Sequence, residues 1–215
     1  MSENLRTFFA VALSEEARQA AARLADRLRG SDRGEGVRWV RPEGYHLTLR
    51  FLGNVGRQAI AELVDRVSEE VTPLAPFAIQ LGGALVFPSP RNPRVVALAV
   101  EPEALLATLA ERVERGVVAV GFKAERRRFR AHLTLGRVRN RRFPSVDGEA
   151  SIDCPAFPVD EIVLFQSDLR RTGAVYTPLE RIALQGCSSS EGARSEAGAP
   201  EGRLPRPVPA GTDSP

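Results

Sequence analysis

Hydrophobic positions along this chain fall into strand-like and helix-like blocks that take turns. Thr7 to Leu13 is an apolar run of strand length. Ser14 follows, with Glu15 and Glu16 behind it, a sequence that caps a helix and places acid in its first turn. Ala17, Ala21, Leu24 and Leu28 then recur at helical spacing, and Gly30 ends the run. A polar loop leads to Val37–Val40, and Pro42 to Gly44 mark a turn. Tyr45 to Leu52 alternates as a strand, with Gly53 to Gly56 as its exit. Ile60, Leu63, Val64 and Val67 trace a second amphipathic helix. Phe77–Val86 and Val95–Val100 read as strands joined by the proline-punctuated stretch Phe87 to Pro93. Leu105, Leu106, Leu109 and Val113 give a third helix. Phe129–Val138 is a further strand, and Glu161–Gln166 with Ala174–Leu184 form a closing hairpin that turns near Arg170 to Gly173.

The pattern stops near residue 185. From Gly186 to Pro215 the chain is Ser, Gly, Ala, Pro and Glu with almost no large apolar side chains. Such a segment buries too little surface to offset its ordering entropy. Residues 1–185 are therefore read as one folded unit and residues 186–215 as a disordered tail. At 215 residues the chain suits one domain or two small lobes. No apolar run reaches the ~18 residues of a bilayer span. The first residues lack the apolar core of a secretory signal. Cys154 and Cys187 cannot make a disulfide scaffold. A cytoplasmic, reduced setting is expected.

Charge adds little globally, since the formal net is +3. Its distribution says more. Lys123 is the only lysine, and Arg126, Arg127, Arg128, Arg130, Arg137, Arg139, Arg141 and Arg142 crowd one stretch. Arginine makes planar, bidentate contacts with phosphate. The Arg126–Arg130 cluster is a candidate for contact with a phosphate backbone, with a solvated loop the more common case. Trp39 and Phe87 are candidates for stacking on a base, although core packing is the commoner fate of tryptophan.

Chemistry concentrates in a repeat. The two histidines of the chain sit in identical tetrapeptides, His46-Leu47-Thr48-Leu49 and, 86 residues later, His132-Leu133-Thr134-Leu135. An aromatic precedes each (Tyr45, Phe129) and an arginine follows each (Arg50, Arg137). In a strand, alternate residues share a face. His46 and Thr48 therefore share one face, His132 and Thr134 another, and the four leucines point into a core. Two related lobes, each giving one histidine, would bring both pairs to one cleft. Imidazole serves as base or acid near neutrality, and phosphoester displacement needs one of each. Threonine hydroxyls can donate to the non-bridging oxygens. Two histidines without an adjacent Cys, Asp or Glu are a thin metal site, and no Gly-x-Ser-x-Gly elbow is present. Arg137, five residues after His132, falls on the opposite face of an ideal strand and is a weak candidate.

The paired His-x-Thr-x motifs resemble the two-histidine phosphoesterase superfamily, and within it the LigT-like RNA 2',3'-cyclic phosphodiesterases. Supporting stretches are Arg6 to Ala10, Trp39 to Pro42, His46 to Gly53, Phe87 to Arg91, Phe129 to Arg137 and Ser167 to Arg170, with Gly173, Tyr176 and Leu179. One departure is Ala131, where the family commonly has proline. The resemblance spans roughly residues 5–185. It implies an α+β fold of two pseudo-symmetric lobes, with antiparallel sheets around a central cleft and helices outside. It implies opening of a terminal 2',3'-cyclic phosphate to a 2'-phosphate, with 2'-5' RNA ligation in some members. By motif, His46 is the proton donor to the leaving 3'-oxygen and His132 the base that activates water. Thr48 and Thr134, with Arg137 as a weak addition, hold the phosphate. No cofactor or metal is expected, the partner is RNA, and a monomer is expected. The rivals are a non-enzymatic RNA-binding module and a cyclic-nucleotide or ADP-ribose cyclic phosphate hydrolase of the same superfamily.

Overall fold

A computed structural model describes residues 4–30, 36–139, 152–170 and 173–186. The segment 187–215, expected as a disordered tail, lies outside the described residues. Strand β1 (Asn4–Ala12) leads into helix α1 (Glu15–Arg29). Ser14 caps that helix by accepting a hydrogen bond from the Ala17 amide at 3.2 Å, and Gly30 closes it on the Asp26 carbonyl. Then come β2 (Val37–Trp39), a single 3-10 turn at Pro42–Gly44, β3 (His46–Gly56) and α2 (Ile60–Val71). The hairpin β4 (Phe77–Ser89) and β5 (Asn92–Glu101) is followed by α3 (Glu103–Ala119), β6 (His132–Val138), β7 (Phe157–Val159), β8 (Glu161–Arg170) and β9 (Gly173–Ala183).

The strands form two antiparallel sheets, β3-β1-β8-β9 and β2-β6-β5-β4-β7. Each sheet holds one motif strand, β3 at the edge of the first and β6 inside the second. Those two strands also touch each other, so the sheets meet along the motifs. Helices α2 and α3 pack together and against β9 and β3, while α1 packs against β2. The two-lobed α+β arrangement expected from the sequence is the one adopted. No helix among the described residues is long and apolar enough to cross a membrane.

Leu47, Leu49, Leu133 and Leu135 are all buried. They tie both motif strands to one continuous core, each worth about 1.5–3 kcal/mol of burial. Cys154 is buried as well, which raises its thiol pKa. Three expectations shift at their edges. The stretch Phe87 to Pro93 is strand rather than connection, and β4 and β5 turn on Pro90 and Arg91 alone. Gly53 to Gly56 extends β3, with Gly53 at a positive φ of 75° beside a register slip. Strand β6 starts only at His132, so Phe129 to Ala131 approach it as irregular chain.

Gly116 sets a very close approach between α3 and α2. A Cβ there would stand 2.7 Å from Val67 Cα and 2.8 Å from the Arg66 carbonyl of α2, backbone atoms that cannot step aside. Gly116→Ala is therefore expected to lower unfolding free energy by about 1–3 kcal/mol despite alanine's better helix propensity. Urea denaturation of the variant measures this, and a gain in stability would contradict the packing.

Candidate active site

Both histidines are held in the same way. Nδ1 of His46 lies 2.9 Å from the Gly44 carbonyl, and Nδ1 of His132 lies 2.8 Å from the Arg130 carbonyl. The acceptor is two residues upstream in each case. A carbonyl oxygen only accepts, so Nδ1 carries a proton in both rings. That leaves Nε2 as the nitrogen that gains and loses a proton, the state a general acid–base pair needs. Gly44 sits at the end of the Pro42–Gly44 turn, so the turn sets the height of the His46 acceptor.

The ring environments differ. His46 is tilted on Phe8 at 4.7 Å between centroids and meets Tyr176 edge-on at 4.9 Å. His132 stacks on Phe87 at 4.5 Å with only 12° between planes, and the Arg130 guanidinium lies 4.7 Å from the same ring centre. Phe87 thus carries both the His132 ring and the Arg130 guanidinium against it. Burial pushes the pKa of His46 down to about 4, against the Gly44 hydrogen bond, and the charges of Arg137 and His132 push the same way.

Arg137, a weak candidate because an ideal strand would turn it to the opposite face, stands on the cleft side. It lines the cleft with His46 and Thr48 instead of facing away. The cause is a slip in the β5–β6 ladder: Ala97 pairs with Thr134, but Val96 pairs with Gly136. One extra residue in β6 places Leu135 and Gly136 both on the buried side, and the alternation resumes with Arg137 on the histidine face. The same slip occurs in β3, where Ala10 pairs with Thr48 and Phe9 with Arg50. Position for position, Arg137 therefore matches Phe51, not Arg50. Phe51 is exposed at the cleft, under the Arg6 guanidinium at 4.5 Å. Arg50 is turned to the back, where it is ion-paired with Glu114 at 2.5 Å and donates to the Lys123 carbonyl.

Thr48 is exposed and Thr134 half-buried, each sharing its histidine's face. Two concavities flank the motif strands. A cleft of about 480 Å³ takes in His46, Thr48, Arg137 and Tyr176. A groove of about 640 Å³ runs along β4 and β5 past His132, Phe87, Arg130 and Glu101. Of the arginine cluster at 126–130, Arg130 alone lines either one. Trp39 lines the cleft at its edge. Among the described residues no three or more His, Cys, Asp or Glu side chains gather as a metal site. Sequence reasoning missed the carbonyl anchors, the Phe87 stack and the Phe8–Tyr176 wall. Only Gly136 hinted at the slip, since glycine within a strand marks a bulge or a close backbone approach.

His46, Thr48 and Arg137 share the cleft, His132 lines the neighbouring groove, Thr134 lines neither, and the charge of His132 is felt at His46. The comparisons with known proteins bear on the family. The family model for LigT like Phosphoesterase matches twice in tandem, at residues 11–97 and 98–176. The chain belongs to that family. It is 36% identical over 181 residues to an RNA 2',3'-cyclic phosphodiesterase of Methanothermobacter thermautotrophicus, covering 82% of this chain and 97% of the relative. A crystal structure from Thermus thermophilus superposes with a TM-score of 0.71 at 32% identity, over 85% of this chain and 99% of that one. Apo LigT of E. coli superposes at 0.70 with 28% identity and the same coverage.

The depressed His46 pKa has a consequence for stability. The group titrates near 6.5 in the unfolded chain and near 4 in the fold. Between those values the unfolded state binds more protons. The contribution of the neutral ring is complete above about pH 6.5 and is lost as pH falls toward 4. Unfolding free energy is expected to drop by up to about 3 kcal/mol across that window. His46→Gln should remove this slope, which denaturant melts at stepped pH will read.

Proposed function

We propose that this protein is an RNA 2',3'-cyclic phosphodiesterase that works by histidine acid–base catalysis without a metal. The observation that carries the reading is the pair of carbonyl-anchored imidazoles, each with a threonine on its own face. Water attacks phosphorus and gives its proton to Nε2 of His132. The bond from phosphorus to the 3'-oxygen breaks, and Nε2 of His46 delivers a proton to that oxygen. The products are a 2'-phosphomonoester and a free 3'-hydroxyl. Thr48, Thr134 and Arg137 bind the non-bridging oxygens, where negative charge is held through the transition state. All five residues come from one chain, so a monomer suffices.

His46 is neutral in the open cleft, which at first opposes a donor role. The substrate's negative charge opposes that shift. A phosphodiester anion beside Arg137 offsets the guanidinium charge and favours the imidazolium, so His46 takes up its proton with the substrate. The kcat/KM profile, which reports the free protein, is expected to show a limb near pH 4; in the kcat profile that limb moves to higher pH.

His46→Ala and His132→Ala should each lose ~10²–10⁴-fold in turnover of a dinucleotide ending in a 2',3'-cyclic phosphate. The double variant should be little worse, because both groups act in one transition state. Thr48→Ala and Thr134→Ala should lose about 1.5–3 kcal/mol of transition-state stabilisation. Activity should persist in EDTA. Near-normal turnover in either histidine variant would leave only a binding module. A p-nitrophenyl phosphodiester separates the two roles, because nitrophenolate leaves without being protonated. His46→Ala should recover on it and His132→Ala should not; the reverse result would exchange donor and acceptor.

A further inference from the structure

Arg38 on β2 and Arg137 on β6 are direct register partners. Like charges directly opposed across a strand pair are destabilising. Neither is ion-paired with a carboxylate among the described residues, whereas Arg50 has Glu114, Arg115 has Glu70 and Arg181 has Glu161. The backbone permits the close pairing. A Cβ on Gly136 would fall 2.5 Å from Val37 Cγ1, so glycine is what lets β2 lie against β6 and bring Arg38 to Arg137. Both residues line the His46 cleft, as do Arg6, Arg41 and Arg170, and among the described residues no Asp or Glu lines it.

One phosphodiester carries one negative charge, and Arg137 already answers it. Arg38, one strand further out, is left as a planar fork of donors suited to a second phosphate. In an RNA end the nearest second phosphate is the one on the 5'-oxygen of the terminal nucleotide. We propose that Arg38 forms a second phosphate subsite for that 5'-phosphate, by which the protein distinguishes an oligonucleotide end from a free nucleoside 2',3'-cyclic phosphate. This subsite rests on the phosphodiesterase reading for its substrate, while its binding test needs no turnover.

The test compares a nucleoside 2'-monophosphate with the corresponding 2',5'-bisphosphate by calorimetric titration. The wild type should bind the bisphosphate about 10- to 100-fold more tightly, the worth of one charge-assisted hydrogen bond. In Arg38→Ala the two affinities should converge, and Arg38→Lys should keep part of the difference. The same ratios should appear in kcat/KM for 5'-phosphorylated against 5'-hydroxyl nucleoside 2',3'-cyclic phosphates. Arg38 is exposed on an edge strand and its removal relieves a repulsion, so the melting temperature of Arg38→Ala should equal or exceed wild type. Equal wild-type affinity for the two ligands would overturn the subsite. So would an equal loss on both ligands with a lowered melting temperature, which would make Arg38 structural. If the bisphosphate preference holds and depends on Arg38 while neither cyclic phosphate is hydrolysed, the subsite stands and the phosphodiesterase reading falls.

Discussion

An uninterrupted strand would place His132 and Arg137 on opposite faces. The additional residue at Leu135, repeated at Leu49 in the other motif strand, changes which side chains look into the cleft. It gathers a histidine, a threonine and the side chain five residues after the histidine on one surface. Two leucines per motif stay in the core to hold that surface in place. The set of side chains on this surface therefore depends on a backbone irregularity rather than on regular alternation. In one lobe the slip delivers an arginine to the site, and in the other it delivers Phe51. The duplicated backbone gives two different contributions because one position differs in chemistry.

Much of this was legible beforehand. The alternation of polar and apolar residues in His46–Leu49 and His132–Leu135 assigned faces correctly, because period two is a strong geometric constraint over four residues. Ser14 and Gly30 marked the ends of α1 because their roles are local. Arg137 stayed only a weak candidate because the slip depends on β2 and β5 lying alongside β6, a tertiary fact without a local signature. Arg50 looked like its counterpart by counting arginines, and only the register separates them. The carbonyl anchors were invisible because they involve backbone oxygens, which every residue has. Strand β4 runs through Phe87 and Pro88, where proline suggests a break; a register slip between these two residues accommodates the ring there.

The two imidazoles share a tautomer but not a setting. His46 lies near three aromatic rings, Phe8, Phe165 and Tyr176, and within reach of an arginine's field. His132 rests on a single ring face, with its groove carrying Glu101, Glu103 and Arg130 nearby. A symmetric backbone thus supports an asymmetric pair of imidazole settings, as the proposed division into proton donor and acceptor needs.

The sequence halves and the structural lobes do not coincide. The first matched half supplies β3 to one sheet and β2 and β4 to the other, while the second half supplies β6 and β7 to one and β8 and β9 to the other. Strand β1, near the start of the chain, hydrogen-bonds to both β3 and β8. The sheet that carries His46 is therefore finished only by strands made roughly a hundred residues after its motif. Neither half can be separated as a working lobe. A chain emerging from the ribosome would hold an open edge on β1 until β8 arrives, a wait that local helix formation cannot shorten.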